Sequence, residues 1–157
     1  MRGGAKLALL VIGGVIVLGV VALFVWVLSG PESGVKMANE MDQYALDYLA
    51  KHHILNPDEK LICYYDVTLS MDASEAAILT DRRLLYHKAG RTTAMSLSDI
   101  ADIEHHYESL IGDVIVARSA AGETMKIEIA PLNGGEVFYT TLMNSWKLAG
   151  GRNQSSP

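Results

Sequence analysis

Between residues 58 and 129 apolar and polar side chains alternate with a period of two, which predicts strands with one buried face. In the first run Leu61, Cys63, Tyr65, Val67 and Leu69 alternate with Ile62, Tyr64, Asp66 and Thr68. Further runs cover 76–80, 84–88, 92–97, 103–108, 114–118 and 124–129, separated by turn residues such as Ala89-Gly90-Arg91 and Ala121-Gly122-Glu123. Strands recurring every 8 to 12 residues or so are the spacing of an antiparallel barrel or sandwich. On either side the period changes to that of a helix. Met37, Met41, Tyr44, Ala45, Tyr48 and Leu49 form an apolar stripe within 34–56, and Asn56-Pro57 is expected to stop that helix. After Pro131, residues 136–149 place Phe138, Leu142, Ser145, Trp146 and Ala149 on one side, and Gly150-Gly151 ends the run.

Residues 7–28 have neither period. They form 22 consecutive positions without an ionisable side chain, long enough at about 1.5 Å per residue for a bilayer core of about 30 Å. The run exceeds the 7–15 residues or so of a signal-peptide core, and Val27-Leu28-Ser29 is a poor cleavage site, so a retained anchor is expected. Gly13, Gly14 and Gly19 lack the four-residue spacing of close helix pairing. Arg2 and Lys6 before the run, against Lys36 after it, favour an orientation with the N-terminus in the cytoplasm and the domain outside.

Composition narrows the function. The chain has 157 residues and a net charge of −5; since only Arg2 and Lys6 precede the apolar run, the remainder carries −7. No basic excess is available for nucleic acid, and the single Cys63 excludes a disulfide scaffold.

Two segments carry a family resemblance. Ile78-Leu79-Thr80-Asp81-Arg82-Arg83-Leu84-Leu85-Tyr86 resembles the hairpin motif of bacterial pleckstrin-homology (PH)-like domains. Ser96-Leu97-Ser98-Asp99-Ile100-Ala101-Asp102-Ile103 is similar to the segment after their fourth strand, and Trp146 falls where the final helix often has a tryptophan. The resemblance covers about residues 58–149 and implies a PH-like barrel of seven strands closed by a C-terminal helix. Together with the apolar run and the helical stripe, the expected architecture is mainly β with flanking helices: an N-terminal transmembrane helix (1–30), an amphipathic linker helix (31–57), the seven-stranded PH-like barrel with its closing helix (58–150), and a disordered tail (151–157). With the apolar run at 7–28, a bacterial family of this kind leads to the expectation of a single-pass protein of the bacterial inner membrane. Thr80, Asp81, Arg82, Arg83, Leu97, Asp99, Ile100 and Trp146 are expected to serve that fold: Asp81 by accepting amide hydrogen bonds within the hairpin, Arg82 or Arg83 by pairing with a carboxylate, and Leu97 and Ile100 by burial.

Phosphoinositide binding is not expected. Residues 63–75, which cover the first long strand and the loop after it, contain Asp66, Asp72 and Glu75 but no Lys or Arg. Neither is a metal. His52-His53 ends a helix, and His105-His106 in a strand point to opposite faces. Cys63 on the apolar face reads as a small hydrophobe, and the acids Asp58, Glu59, Asp99, Asp102, Glu104 and Glu108 as a solvated face. No nucleophile elbow or phosphate-binding loop occurs, so no enzyme and no cofactor are expected. The expected function is protein contact or self-association at the membrane, with the barrel edge and Met37, Met41, Tyr44 and Tyr48 as surfaces. The stripe would either cover its own domain or pair with a second copy. A ligand- or lipid-binding accessory domain, with a pocket between sheet and final helix, is the alternative.

Overall fold

The structure, a computed structural model, describes residues 34–68 and 70–151, and Gly19 besides. The rest of the predicted anchor, the 29–33 connection and the tail after Gly151 lie outside these residues. The chain divides into two compact units at Glu32/Ser33, and the second holds every element named here. Among the described residues no helix is long and apolar enough to cross a membrane.

Five antiparallel strands form one sheet in chain order: β1 (Val35–Met37), β2 (Leu61–Asp66), β3 (Glu75–Thr80), β4 (Arg83–Lys88) and β5 (Arg91–Ser96). Three more form a second: β6 (Ile100–Glu108), β7 (Gly112–Ser119) and β8 (Thr124–Ile129). Helix α1 (Gln43–Lys51) lies between β1 and β2 in the chain, and α2 (Gly135–Leu148) follows β8. The seven-stranded closed barrel becomes, among the described residues, eight strands in two sheets that share no strand pairing. The predicted closing helix is present: Phe138, Leu142 and Trp146 are fully buried in one core with Cys63, Leu79, Leu84, Leu97, Ile100, Ile115 and Ile127 from both sheets.

The long linker helix is also corrected. Val35–Met37 is a strand paired with Tyr65, Tyr64 and Cys63, and a 3-10 turn at Ala38–Glu40 separates it from α1. So Met37 belongs to a sheet edge and not to the helical stripe. The helix ends before Pro57, in a Schellman turn: Ile54 N–H donates to Leu49 O at 3.1 Å and His53 N–H to Ala50 O at 3.2 Å, with His53 left-handed at φ +50°.

The first long strand stops at Asp66. One oxygen of its carboxylate accepts from the Thr68 amide at 2.8 Å and the other from the Ala73 amide at 2.9 Å, which ties Thr68 and Ala73 to the end of the strand. Both faces of the sheet are buried at its centre, in β2 to β4. The inner face meets α2; the outer, with Tyr64, Ala76, Ile78 and Leu85, packs with Ala45, Leu49 and Ile54.

Candidate functional site

The outer face of the five-stranded sheet gathers three of the four residues read as an interaction stripe. Met41, Tyr44 and Tyr48 all pack on the outer cluster of that sheet, so the stripe covers its own domain. The two tyrosines also end in polar contacts. Tyr44 Oη donates to Asp66 Oδ2 at 3.1 Å, and its phenol is pushed far above the ordinary range by burial and by the Asp66 charge. Tyr64 Oη is buried without a protein partner among the described residues and borders a cavity of about 10 Å³ that Tyr44 and Asp66 also line, about the volume of one water.

Tyr48 reaches a histidine. Its Oη lies 3.1 Å from His87 Nε2, while His87 Nδ1 lies 2.9 Å from Thr92 Oγ1. His52, one helical turn on, packs against Tyr48 with ring centroids 4.2 Å apart and the planes tilted by 30°. His87 is buried, and burial first, then the neighbouring His52, lower its pKa. The neutral ring is therefore the folded form, whereas the unfolded chain takes up its proton near about pH 6.5. Its contribution is present above that value and lost as the pH falls through it toward the lower folded value. Hydrogen exchange, corrected for intrinsic rates, is expected to show α1 amides losing protection between pH 7.5 and 5.5. His87→Gln should abolish that dependence; equal protection at both pH values would rule out the coupling.

The hairpin motif has a structural task. Glu59, read as solvated, is buried instead, because Arg83 Nε donates to its Oε1 at 2.8 Å and Arg83 Nη2 to its Oε2. Thr80 Oγ1 donates to Glu59 Oε1 at 2.6 Å and accepts from the Arg83 amide at 2.8 Å. Asp81 accepts from the Lys60 amide at 2.9 Å, across to the start of β2 and not within its own hairpin. Arg82 stays exposed. At the far end of the motif region Trp146 Nε1 donates to Ile100 O at 2.9 Å, while Leu97 and Ile100 are buried; Asp99 closes the 3-10 turn before β6.

One grouping was missed by reading the histidines as adjacent pairs. His105 Nε2 lies 2.8 Å from Asp113 Oδ1, His105 Nδ1 lies 3.6 Å from Glu136 Oε2, and Tyr139 stacks on the ring. His105 opposes Ile115 in the β6–β7 register, which puts Asp113 on the same face two residues along the strand. These three side chains lie close enough together to hold a cation, yet the direct His105–Asp113 contact already occupies one ring nitrogen. The Asp113 side chain lies over Gly135 at the start of α2, where a Cβ would come within 2.2 Å of it. The cluster thus fastens the helix N-terminus to β6 and β7.

Cys63 is fully buried and its thiol is pushed up to about 12 by desolvation, far from a nucleophile at neutral pH. Asp102 and Glu104 both pair with Arg118, at 3.1 and 2.8 Å, on the solvent side. The space expected to hold a ligand beside α2 is filled by Phe138, Leu142 and Trp146, leaving an open groove of about 180 Å³ at Ile62, Asp81, Ser145, Leu148 and Ala149. A larger one, about 460 Å³, lies between α1 and β2 and is lined mainly by Leu46, Leu49, Leu55, Pro57 and Leu61.

No family model matches the chain, and no curated protein does. Among solved structures it is similar to the crystal structure of a DUF1696 family protein with a pleckstrin-homology domain from Shewanella loihica PV-4. The two are 15% identical with a TM-score of 0.51 over 73% of this chain and 99% of that one. At that identity the likeness speaks for the fold alone: the domain is PH-like.

Proposed function

We propose that the chain is a non-catalytic, single-pass membrane protein of bacterial type that presents its PH-like domain for protein contact or self-association at the bilayer. The observation that carries this reading is the edge of the five-stranded sheet at β5. That strand pairs with β4 alone among the described residues, and Arg91, Thr92, Thr93 and Ala94 along it are exposed. An open strand with uncharged threonine and alanine at its centre accepts a further strand through main-chain hydrogen bonds. The stripe on α1 faces its own sheet, which leaves the β5 edge as the stronger candidate of the two expected surfaces. The apolar run at 7–28 supports the membrane part of the reading.

The test is crosslinking of the full chain in membranes. Ala94→Lys places a charge on the open edge and is expected to reduce the crosslinked species several-fold. Its effect on folding should stay within about 0.5 kcal/mol, as for an exposed substitution. An unchanged crosslinking pattern would remove the β5 edge. The groove between α1 and β2 favours a second reading, an accessory domain for a small apolar ligand, since its volume falls in the range of about 300–1,000 Å³ of ligand sites.

A further inference from the structure

Outside α1, four of the five exposed large apolar side chains among the described residues belong to the elements around the point where the chain enters the domain; the fifth, Leu148, 89% exposed, ends α2. Leu110, in the turn between β6 and β7, is 95% exposed, and Leu132, between β8 and α2, is 103% exposed. Tyr107 and Val137 beside them are 59% and 51% exposed. The two loops lie against one another: a Cβ on Gly112 would come within 2.1 Å of Ile129 O. Leu132 itself is held left-handed at φ +69°, a conformation that glycine or asparagine adopts at lower cost. The incoming chain is fixed to the same place, because Val35 N–H donates to Asn133 O at 2.9 Å.

We propose that Leu110 and Leu132 dip into the interfacial layer of a lipid bilayer and set the face that the domain turns toward the membrane. This inference rests on the reading of residues 7–28 as a retained anchor. That run ends at Leu28, and five residues separate it from Gly34. Fully extended, five residues reach at most about 18 Å, a connection short enough for the loops beside Val35 and Asn133 to reach the bilayer surface. Two protruding leucines with a neighbouring tyrosine suit that layer, where an aromatic ring sits at headgroup level. Charge selects the lipid. Glu108, Asp113 and Glu136 stand around the loops, so the contact is apolar and favours zwitterionic over anionic headgroups.

Depth-dependent quenching in vesicles tests this with the full chain. Cys63 is buried with a raised pKa, so an environment-sensitive thiol label goes to a cysteine introduced at Leu110, at Leu132, or at Ala121 in the β7–β8 turn as the distant control. In phosphatidylcholine vesicles, brominated acyl chains should quench labels at Leu110→Cys and Leu132→Cys several-fold more than the label at Ala121→Cys. Adding anionic phosphatidylglycerol should weaken the difference. Flotation separates the two ways of failing. A chain that does not float with the vesicles overturns the anchor reading, and this inference with it. A chain that floats while its loop labels are quenched no more than the control overturns the inference alone. Labels shielded from aqueous iodide but untouched by brominated lipid would mean that protein covers the loops, which also overturns it.

Discussion

Arg83→Met is expected to destabilise the domain by about 3 kcal/mol at neutral pH, the lower end of what breaking a buried ion pair costs. The Glu59 side chain has no exposure, while that of Arg83 keeps 25%, and the partial access of water to the guanidinium is why the lower end applies. Without Arg83, Glu59 is a buried carboxylate left with the Thr80 hydroxyl and the Asn56 amide. In the intact domain hydrogen bonding from Arg83 lowers the Glu59 pKa from 4.5 to about 2. The depressed value means that the pair's contribution is present above about 4.5 and lost as the pH falls toward 2. The deficit of the variant should therefore narrow in acid. Urea unfolding of both proteins at pH 7 and pH 4 measures this, and Glu59→Gln/Arg83→Met together should lose less than the sum of the single changes. A deficit below about 1 kcal/mol at pH 7 would show that solvent already satisfies Glu59.

That pair also shows how far the residues can be read without coordinates. Apolar runs bounded by turn residues located all seven strands after residue 58 and the last helix, because each has at least one face in the core, and the alternation is clean where only one is buried, as in Met125, Ile127 and Ile129. The first strand was hidden. Val35–Met37 is three residues long, too short for a period of two to register, and Met37 happens to lie four positions before Met41. The second buried face of the sheet had left a trace in the unbroken apolar run from Ala76 to Leu79 and in Leu84-Leu85, since a strand buried on both sides stops alternating.

Polar contacts were harder to read than packing. Arg82 or Arg83 was expected to find a carboxylate; it is Arg83 that does, and its partner is 24 positions away and looked like part of an acidic surface. His105, Asp113 and Glu136 come from two strands and a helix, and only the β6–β7 register brings the first two together. By contrast, Tyr48 and His52 four apart on a helix, and His87 opposite Thr92 across a hairpin, follow local rules. A search over such spacings finds them from the residues alone.

Trp146→Ala is expected to cost about 3–5 kcal/mol from the lost ring and the cavity it leaves. The buried Ile100 carbonyl also loses its donor, which adds about 1–3 kcal/mol when nothing replaces it. The ring is fully buried among residues of both sheets, and its indole N–H at 2.9 Å from Ile100 O is a direct tie from α2 to the start of β6. Gly151 closes over the indole, where a Cβ would come within 2.1 Å of Nε1, and its amide caps the helix by donating to Trp146 O at 2.9 Å. Against a total stability of about 5–15 kcal/mol for a domain, the alanine variant should unfold at far lower urea or lose its cooperative transition. Trp146→Phe separates the two contributions: it keeps most of the apolar ring, gives up the hydrogen bond, and should fall between wild type and alanine. Urea unfolding followed by circular dichroism ranks the three proteins. A phenylalanine variant as unstable as alanine would place the weight on the bond to Ile100, whereas an alanine variant within about 1 kcal/mol of wild type would mean that α2 does not hold the two sheets together.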